Sequence, residues 1–140
     1  MSQPLFISLD GIDGTGKTTQ LQRLAQWLRD QHVPVVTCAD PGGTALGREL
    51  RQLLLHRSDV KLVPLAEALL FMAARAQLVA EVIRPALSAG QCVLCDRFLL
   101  ATVVYQGYAG GLDPEELWRI GRWSASGVEP DLTLVLDLED

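Results

Sequence analysis

Leu5-Phe6-Ile7-Ser8-Leu9-Asp10-Gly11-Ile12-Asp13-Gly14-Thr15-Gly16-Lys17-Thr18 joins a short apolar run to the spacing G-x-x-x-x-G-K-[ST]. Downstream, Leu21, Leu24, Ala25 and Leu28 recur at helical spacing. Strand, loop, helix is the context in which this motif binds phosphate. Gly11, Gly14 and Gly16 let the backbone bend around an anion and approach it with no Cβ in the way. Successive N–H groups then point inward as a nest, beside the positive end of the following helix. Residues Gly11, Ile12, Asp13, Gly14, Thr15 and Gly16 are thereby expected to wrap the phosphates of a nucleoside polyphosphate. Lys17 is expected on its β- and γ-phosphates, and the Thr18 hydroxyl on a magnesium ion.

The 140 residues correspond to one domain by length, and the 49% hydrophobic content suffices for one sizeable core. A net charge of −5 argues against a nucleic-acid partner, since no basic stripe is present to neutralise a phosphate backbone. A free nucleotide needs only a few local cations. Met1-Ser2-Gln3-Pro4 has no basic or apolar region of a secretory signal. The longest apolar stretch, Leu62–Ala74, is interrupted by Glu67 and is too short to span a bilayer. The expectation is a soluble cytoplasmic protein with no membrane contact. Cys92 and Cys95 have C-x-x-C spacing but fall on an expected strand, where residues three apart face opposite sides. Core thiols are therefore favoured over a zinc or redox pair. His32 and His56 fall at expected helix ends.

Strands are expected near 5–10, 32–38, 91–95 and 132–136. Pro34 suggests an edge position for the second, and unbroken apolarity suggests burial on both faces for the third. Helices are expected near 17–31, 45–57 capped by Thr44, 65–88 kinked or broken near Pro85, 98–107, and 114–126 started by Asp113-Pro114. This alternation predicts an α/β fold: a doubly wound parallel sheet with helices on both faces and the phosphate loop at a strand's C-terminal end.

Several segments resemble bacterial thymidylate kinase. They are Leu9–Thr19, Asp40-Pro41-Gly42-Gly43-Thr44, Leu50–Leu55, Phe71–Gln77, Asp96-Arg97-Phe98, Tyr105-Gln106-Gly107 and Pro130–Thr133. Their order and spacing are jointly specific, and they cover about the first two-thirds of a family member. The resemblance implies a P-loop nucleoside monophosphate kinase. Such an enzyme transfers the γ-phosphate of ATP to dTMP, with Mg2+, and is usually a homodimer. The expected dimer helices here are 66–88 and 114–125.

By the same resemblance, Phe71 stacks on the thymine ring and Arg75, one turn later, offers its guanidinium to a base carbonyl. A core aromatic and a solvated arginine are the competing readings. Arg97 is expected to grip the acceptor phosphate as a forked donor. Asp96 is expected to orient magnesium through water or to hold Arg97; a plain strand-end ion pair is the alternative. Asp13 corresponds to the family's acid near the acceptor sugar and metal, while Asp10 stands where glutamate is more usual. Asp40 and Pro41 belong to the loop over the acceptor sugar, preceded by Ala39 where the family often has a basic residue. Arg51 is expected on the acceptor phosphate. Thr102, Tyr105 and Gln106 are expected to line the nucleoside pocket, or else to be ordinary helix-face residues. The expected catalytic set is Lys17, Arg97 and Asp13.

Gly14 occupies a position where some members carry an arginine, so that extra cation is expected from a lid beyond Asp140. On this reading the chain is a single P-loop kinase domain truncated before its lid and C-terminal helices. Two other classes stay open. One is another P-loop nucleotide kinase or a small GTPase, although no Asn-Lys-x-Asp motif is present. The other is a non-catalytic nucleotide-sensing module.

Overall fold

The computed structural model describes residues 3–139. Its centre is a four-stranded, wholly parallel sheet built from β1 (Phe6–Asp10), β2 (Val35–Ala39), β3 (Cys92–Asp96) and β4 (Leu132–Val135), in the order β2-β3-β1-β4. The order has a topological consequence. From β1 the chain crosses to the far side of β3, and from β3 it crosses to the far side of β1. The C-terminal ends of β1 and β3 are therefore a switch point, where the outgoing connections diverge and leave a crevice. The phosphate-loop sequence follows β1, and Asp96-Arg97 ends β3.

Both faces of the sheet are covered at β1 and β3, as uninterrupted apolar strands require. On one face Leu9 and Leu94 pack against Leu21 and Ala25 of α1 (Lys17–Asp30). On the other, Phe6, Val93 and Cys95 pack with Met72 and Leu78 of α3 (Pro64–Leu78), with Phe98, and with Leu117 of α6 (Pro114–Ser124). The Phe6 and Phe98 rings meet edge to face, 5.0 Å between centroids. Asp131 fastens the start of β4 to β1: its carboxylate accepts from Phe6 N (2.8 Å) and its own N–H donates to Phe6 O (2.7 Å).

The caps follow the sequence signals. Thr44 Oγ1 accepts from Gly47 N (2.8 Å) to start α2 (Ala45–Leu55). Asp113 accepts from Glu115 N at α6, with Pro114 in the first turn. β2 lies at the sheet edge, as Pro34 suggests, but starts three residues later than expected. His32 adopts φ 59° after α1, and Val33 N bonds back to Leu28 O, so residues 31–33 serve the helix end. The long third helix does not break at Pro85. It widens into a π-helical turn, Val79–Ile83, whose Arg84 N–H bonds to Val79 O, and resumes as α4 (Arg84–Ser88). The proline ring crowds the carbonyl four residues back, and the wider turn leaves room for it. The helix expected at 98–107 is a single α-turn, α5 (Leu99–Thr102), continued by a π-helical Val103–Tyr108. The edge strand β4 is exposed along its length, in contrast to β3.

Leu94 lies fully buried on β3, between β2 and β1. Leu94→Ala is expected to lower unfolding stability by about 3 kcal/mol through lost burial and the residual cavity. Urea denaturation monitored by tryptophan fluorescence would show it; a midpoint unchanged from the parent chain would contradict this account of the core.

Candidate active site

The loop after β1 is shaped by its glycines. Gly11 (φ 135°) passes under the Leu136 carbonyl, where a Cβ would collide, and Gly16 (φ 87°) turns the chain into α1 in the left-handed region. Lys17 is buried beneath this loop, its Nζ donating to Gly11 O (2.9 Å) and Ile12 O (3.0 Å). Thr15 Oγ1 donates to Ile12 O (2.9 Å), tying the loop to itself.

A cleft of about 590 Å³ opens at the switch point, a volume suited to a small-molecule ligand. Asp13, Gly14, Gly16, Lys17 and Thr18 line its loop end. Asp40, Pro41, Arg51, Phe71 and Arg75 line the opposite end. Asp96 and Arg97 stand beside the loop, on Thr18 and Asp13, Thr102 stands against Arg75, and Tyr105 and Gln106 complete the wall. Three residues expected in the loop site, Gly11, Ile12 and Thr15, are not on the cleft wall; Ile12 points its side chain to solvent. Phe71 is half-buried on the wall, not part of the core.

Arg75 departs most from expectation. It is 1% exposed, which removes the solvated-charge reading, and its partner is a protein carboxylate. Nε donates to Asp40 Oδ2 at 2.6 Å, and one Nη donates to Thr102 Oγ1 at 2.8 Å and more weakly to Phe98 O at 3.4 Å. The other Nη meets only the Met72 sulfur, at 3.3 Å. The Phe98 ring stands 5.4 Å from the guanidinium carbon. Burial raises the Asp40 carboxyl above its ordinary range, against the pull of Arg75, and its Oδ1 has no partner. Arg51 Nη1 donates to Pro41 O (2.8 Å), bracing the same loop.

Arg97 sits at φ 67°. A non-glycine residue in the left-handed region costs about 1–2 kcal/mol, so the surrounding structure must hold it there. Its Nη2 donates to Asp13 Oδ1 (2.9 Å) and Gly11 O (3.3 Å), while its guanidinium carbon lies 5.4 Å from the Tyr105 ring centre. The ion pair at the strand end therefore joins Arg97 to Asp13, not to Asp96. Asp96 instead accepts from Thr18 Oγ1 at 3.3 Å.

Two acidic residues of this region carry more weight than their sequence signal suggested. Glu67 lines the cleft and accepts from Gln106 Nε2 (3.3 Å). Its signal was present: the lone acid in an apolar helix, one turn before Phe71 and two before Arg75. Asp10 is buried at the end of β1 with Oδ2 unpartnered. Burial pushes its carboxyl up to about 6, against the pull of Arg97 and Lys17 and with smaller repulsion from Asp96 and Asp40.

Cys95 is buried opposite Cys38 in the β2–β3 register, and Cys92 lies on the same strand; all three are free thiols.

A raised carboxyl binds its proton more tightly in the folded state than in the unfolded chain. Asp10 thus weakens the fold above about pH 6, and that penalty is absent below about pH 4. Asp10→Asn is expected to stabilise the chain at pH 7.5, by up to about 3 kcal/mol at 1.36 kcal/mol per pKa unit. The gain should vanish at pH 4. Urea titrations at the two pH values test it, and equal gains at both would refute the assignment to ionisation.

The thymidylate kinase family model matches residues 9–140. The thymidylate kinase of Pelotomaculum thermopropionicum is 52% identical over 134 residues, which is 96% of this chain and 62% of that protein. The thymidylate kinase of Bifidobacterium longum (strain NCC 2705) is 49% identical over 138 residues, 96% of this chain and 67% of that protein. The crystal structure of thymidylate kinase from Ehrlichia chaffeensis superposes with a TM-score of 0.90 at 36% identity, covering 99% of this chain and 78% of that one. The chain spans about three-fifths of the length of the Pelotomaculum protein and of its Syntrophus aciditrophicus counterpart (62% and 61%). Sequence, sheet order and cleft agree with these matches: the chain belongs to the thymidylate kinase family.

Proposed function

We propose that this chain carries the acceptor pocket and phosphate loop of an enzyme that transfers the γ-phosphate of ATP to dTMP, giving dTDP. The observation that carries the reading is a single cleft lined both by the phosphate loop, with Arg97 held against it, and by Phe71 and Arg75. The ATP phosphates lie over Gly14–Lys17, with Lys17 turning from the loop carbonyls to the β- and γ-phosphates. The thymine ring stacks on Phe71 and its carbonyl meets the Arg75 Nη that otherwise rests on the Met72 sulfur. The sugar lies among Asp40, Pro41, Thr102, Tyr105 and Gln106, and the acceptor phosphate lies on Arg97 and Arg51.

The protein's work in such a transfer is positioning and neutralisation. The acceptor phosphate is already anionic at pH 7, so no general base is needed. Lys17 and Arg97 spread the charge of the transferring group, and Asp13 restrains Arg97 until the acceptor arrives. The hydroxyl of Thr18 and the carboxylate of Asp96, 3.3 Å apart, are hard oxygen donors that would hold Mg2+. That ion would neutralise phosphate charge.

Further parts of the proposal are a cytoplasmic location and pairing with a second copy. The first is supported by three free thiols and by the absence, among the described residues, of a helix long and apolar enough to cross a membrane. The second is supported by Val63, Leu65 and Leu69 at or on α3 and by Trp123 on α6, all exposed. Sedimentation equilibrium should return twice the 15.3 kDa chain mass, and a monomer at all concentrations would remove this part.

Thermal stabilisation by dTMP, set against the adenosine, guanosine and cytidine monophosphates at equal concentration, tests the main reading. A hundredfold excess over Kd should add about 2.7 kcal/mol. Phe71→Ala should weaken dTMP binding by about tenfold, the value of one base–aromatic stack, and leave the response to Mg-ATP intact. Binding of Mg-ATP but of no monophosphate would instead make the chain a nucleotide-sensing module.

A further inference from the structure

Asp10 shares a sheet face with Phe6 and Ser8, by strand alternation. Leu9 pairs with Asp96 across β1 and β3, and Arg97 N donates to Leu9 O (2.9 Å). Asp10 and Arg97 therefore leave adjoining strand ends at the same level. Each carries a buried polar atom with no hydrogen-bond partner: Oδ2 of Asp10 and Nε of Arg97. One is an acceptor and the other a donor, and their charges are opposite. The Nη2 of Arg97 is engaged by the loop, on Gly11 O and Asp13.

We propose that Asp10 is a positioning residue: its carboxylate holds the Nε edge of Arg97, directly or through one water, and so presents the Nη edge to the phosphate of the acceptor nucleotide. The assignment rests on the monophosphate-acceptor reading above. It explains why a carboxylate lies where burial disfavours its charge, a placement that otherwise only weakens the fold. It also gives the left-handed Arg97 backbone a purpose, since an aimed guanidinium needs a fixed stem and a fixed edge. Water-bridged contacts of this kind are nearly as strong as direct ones. Lys17, Asp96 and Asp40 also act on Asp10 by charge, but Arg97 acts most strongly.

The test is calorimetric binding of dTMP and of thymidine to the 140-residue chain. The ratio of the two affinities reads the phosphate grip alone, because the nucleoside keeps base and sugar. Four variants are compared: Asp10→Asn, Asp10→Glu, Arg97→Gln, and Asp10→Asn combined with Arg97→Gln. Asp10→Asn is expected to reduce the ratio about tenfold, the worth of one charge-assisted bond, with thymidine affinity unchanged and melting temperature raised. Asp10→Glu should restore most of the ratio. The double variant should be no worse than Arg97→Gln, because Asp10 acts only through Arg97.

An Asp10→Asn ratio within twofold of the parent would overturn the proposal, as would multiplying losses in the double variant. Failure of Asp10→Asn to fold would also overturn it, since the charge would then be structural. A parent chain with no preference for dTMP over thymidine would sink the acceptor reading itself, and this inference with it.

Discussion

The parallel pairing of β1 with β3 is the constraint on which the site depends. Leu9 opposite Asp96 fixes the level at which both strands end. The phosphate-loop end of the cleft is then hung from those two ends. The loop with Lys17 and Thr18 leaves one, and Asp96 and Arg97 leave the other. A slip of one residue in this register would turn Asp10 and Arg97 toward different faces. Fully buried packing by Phe6, Leu9, Val93 and Leu94 resists such a slip. The hydrophobic core thus does more than stabilise: it sets the relative height of two cationic groups whose spacing decides what they can bind.

The second organising element is the ion pair of Arg75 and Asp40. It joins α3 to the loop after β2 and, through Thr102 and Phe98, to the α5 turn. Three segments remote in sequence meet at one guanidinium. A buried pair of this sort is weak support for net stability, because desolvation offsets most of the attraction. Its value is geometric: each nitrogen of the Arg75 fork is engaged by protein, so the guanidinium stands at a fixed place on the cleft wall.

Much of this was legible in the chain itself. The phosphate-loop spacing, its flanking strand and helix, and the caps at Thr44 and Asp113 each rest on local chemistry that a sequence displays directly. The edge placement of β2 agrees with the hint from Pro34, although that proline stands just ahead of the strand and removes no bond from its ladder. What stayed hidden depended on partners far apart. The resemblance assigns Arg75 a base carbonyl, and nothing local to it indicates Asp40, thirty-five residues away. Arg97 likewise turned to Asp13 because a left-handed backbone redirects its side chain, and φ is not written in residue type. The π-helical turns at Val79–Ile83 and Val103–Tyr108 escaped for a related reason. Each is a single wide turn, too short for apolar spacing to tell it from an α-helix.

The burial of Arg75 and Asp40 bears on how this cleft behaves in heat. Hydration of charged groups becomes less favourable as temperature rises, so withdrawing two ions from water costs less in a warm solution than in a cool one. Hydrophobic stabilisation per unit area levels off over the same range. The contact that shapes the nucleoside end of the cleft therefore becomes relatively stronger on warming, while the apolar packing around it gains little. A fold assembled around such a pair is better suited to rising temperature than one whose cleft is shaped by apolar contacts alone.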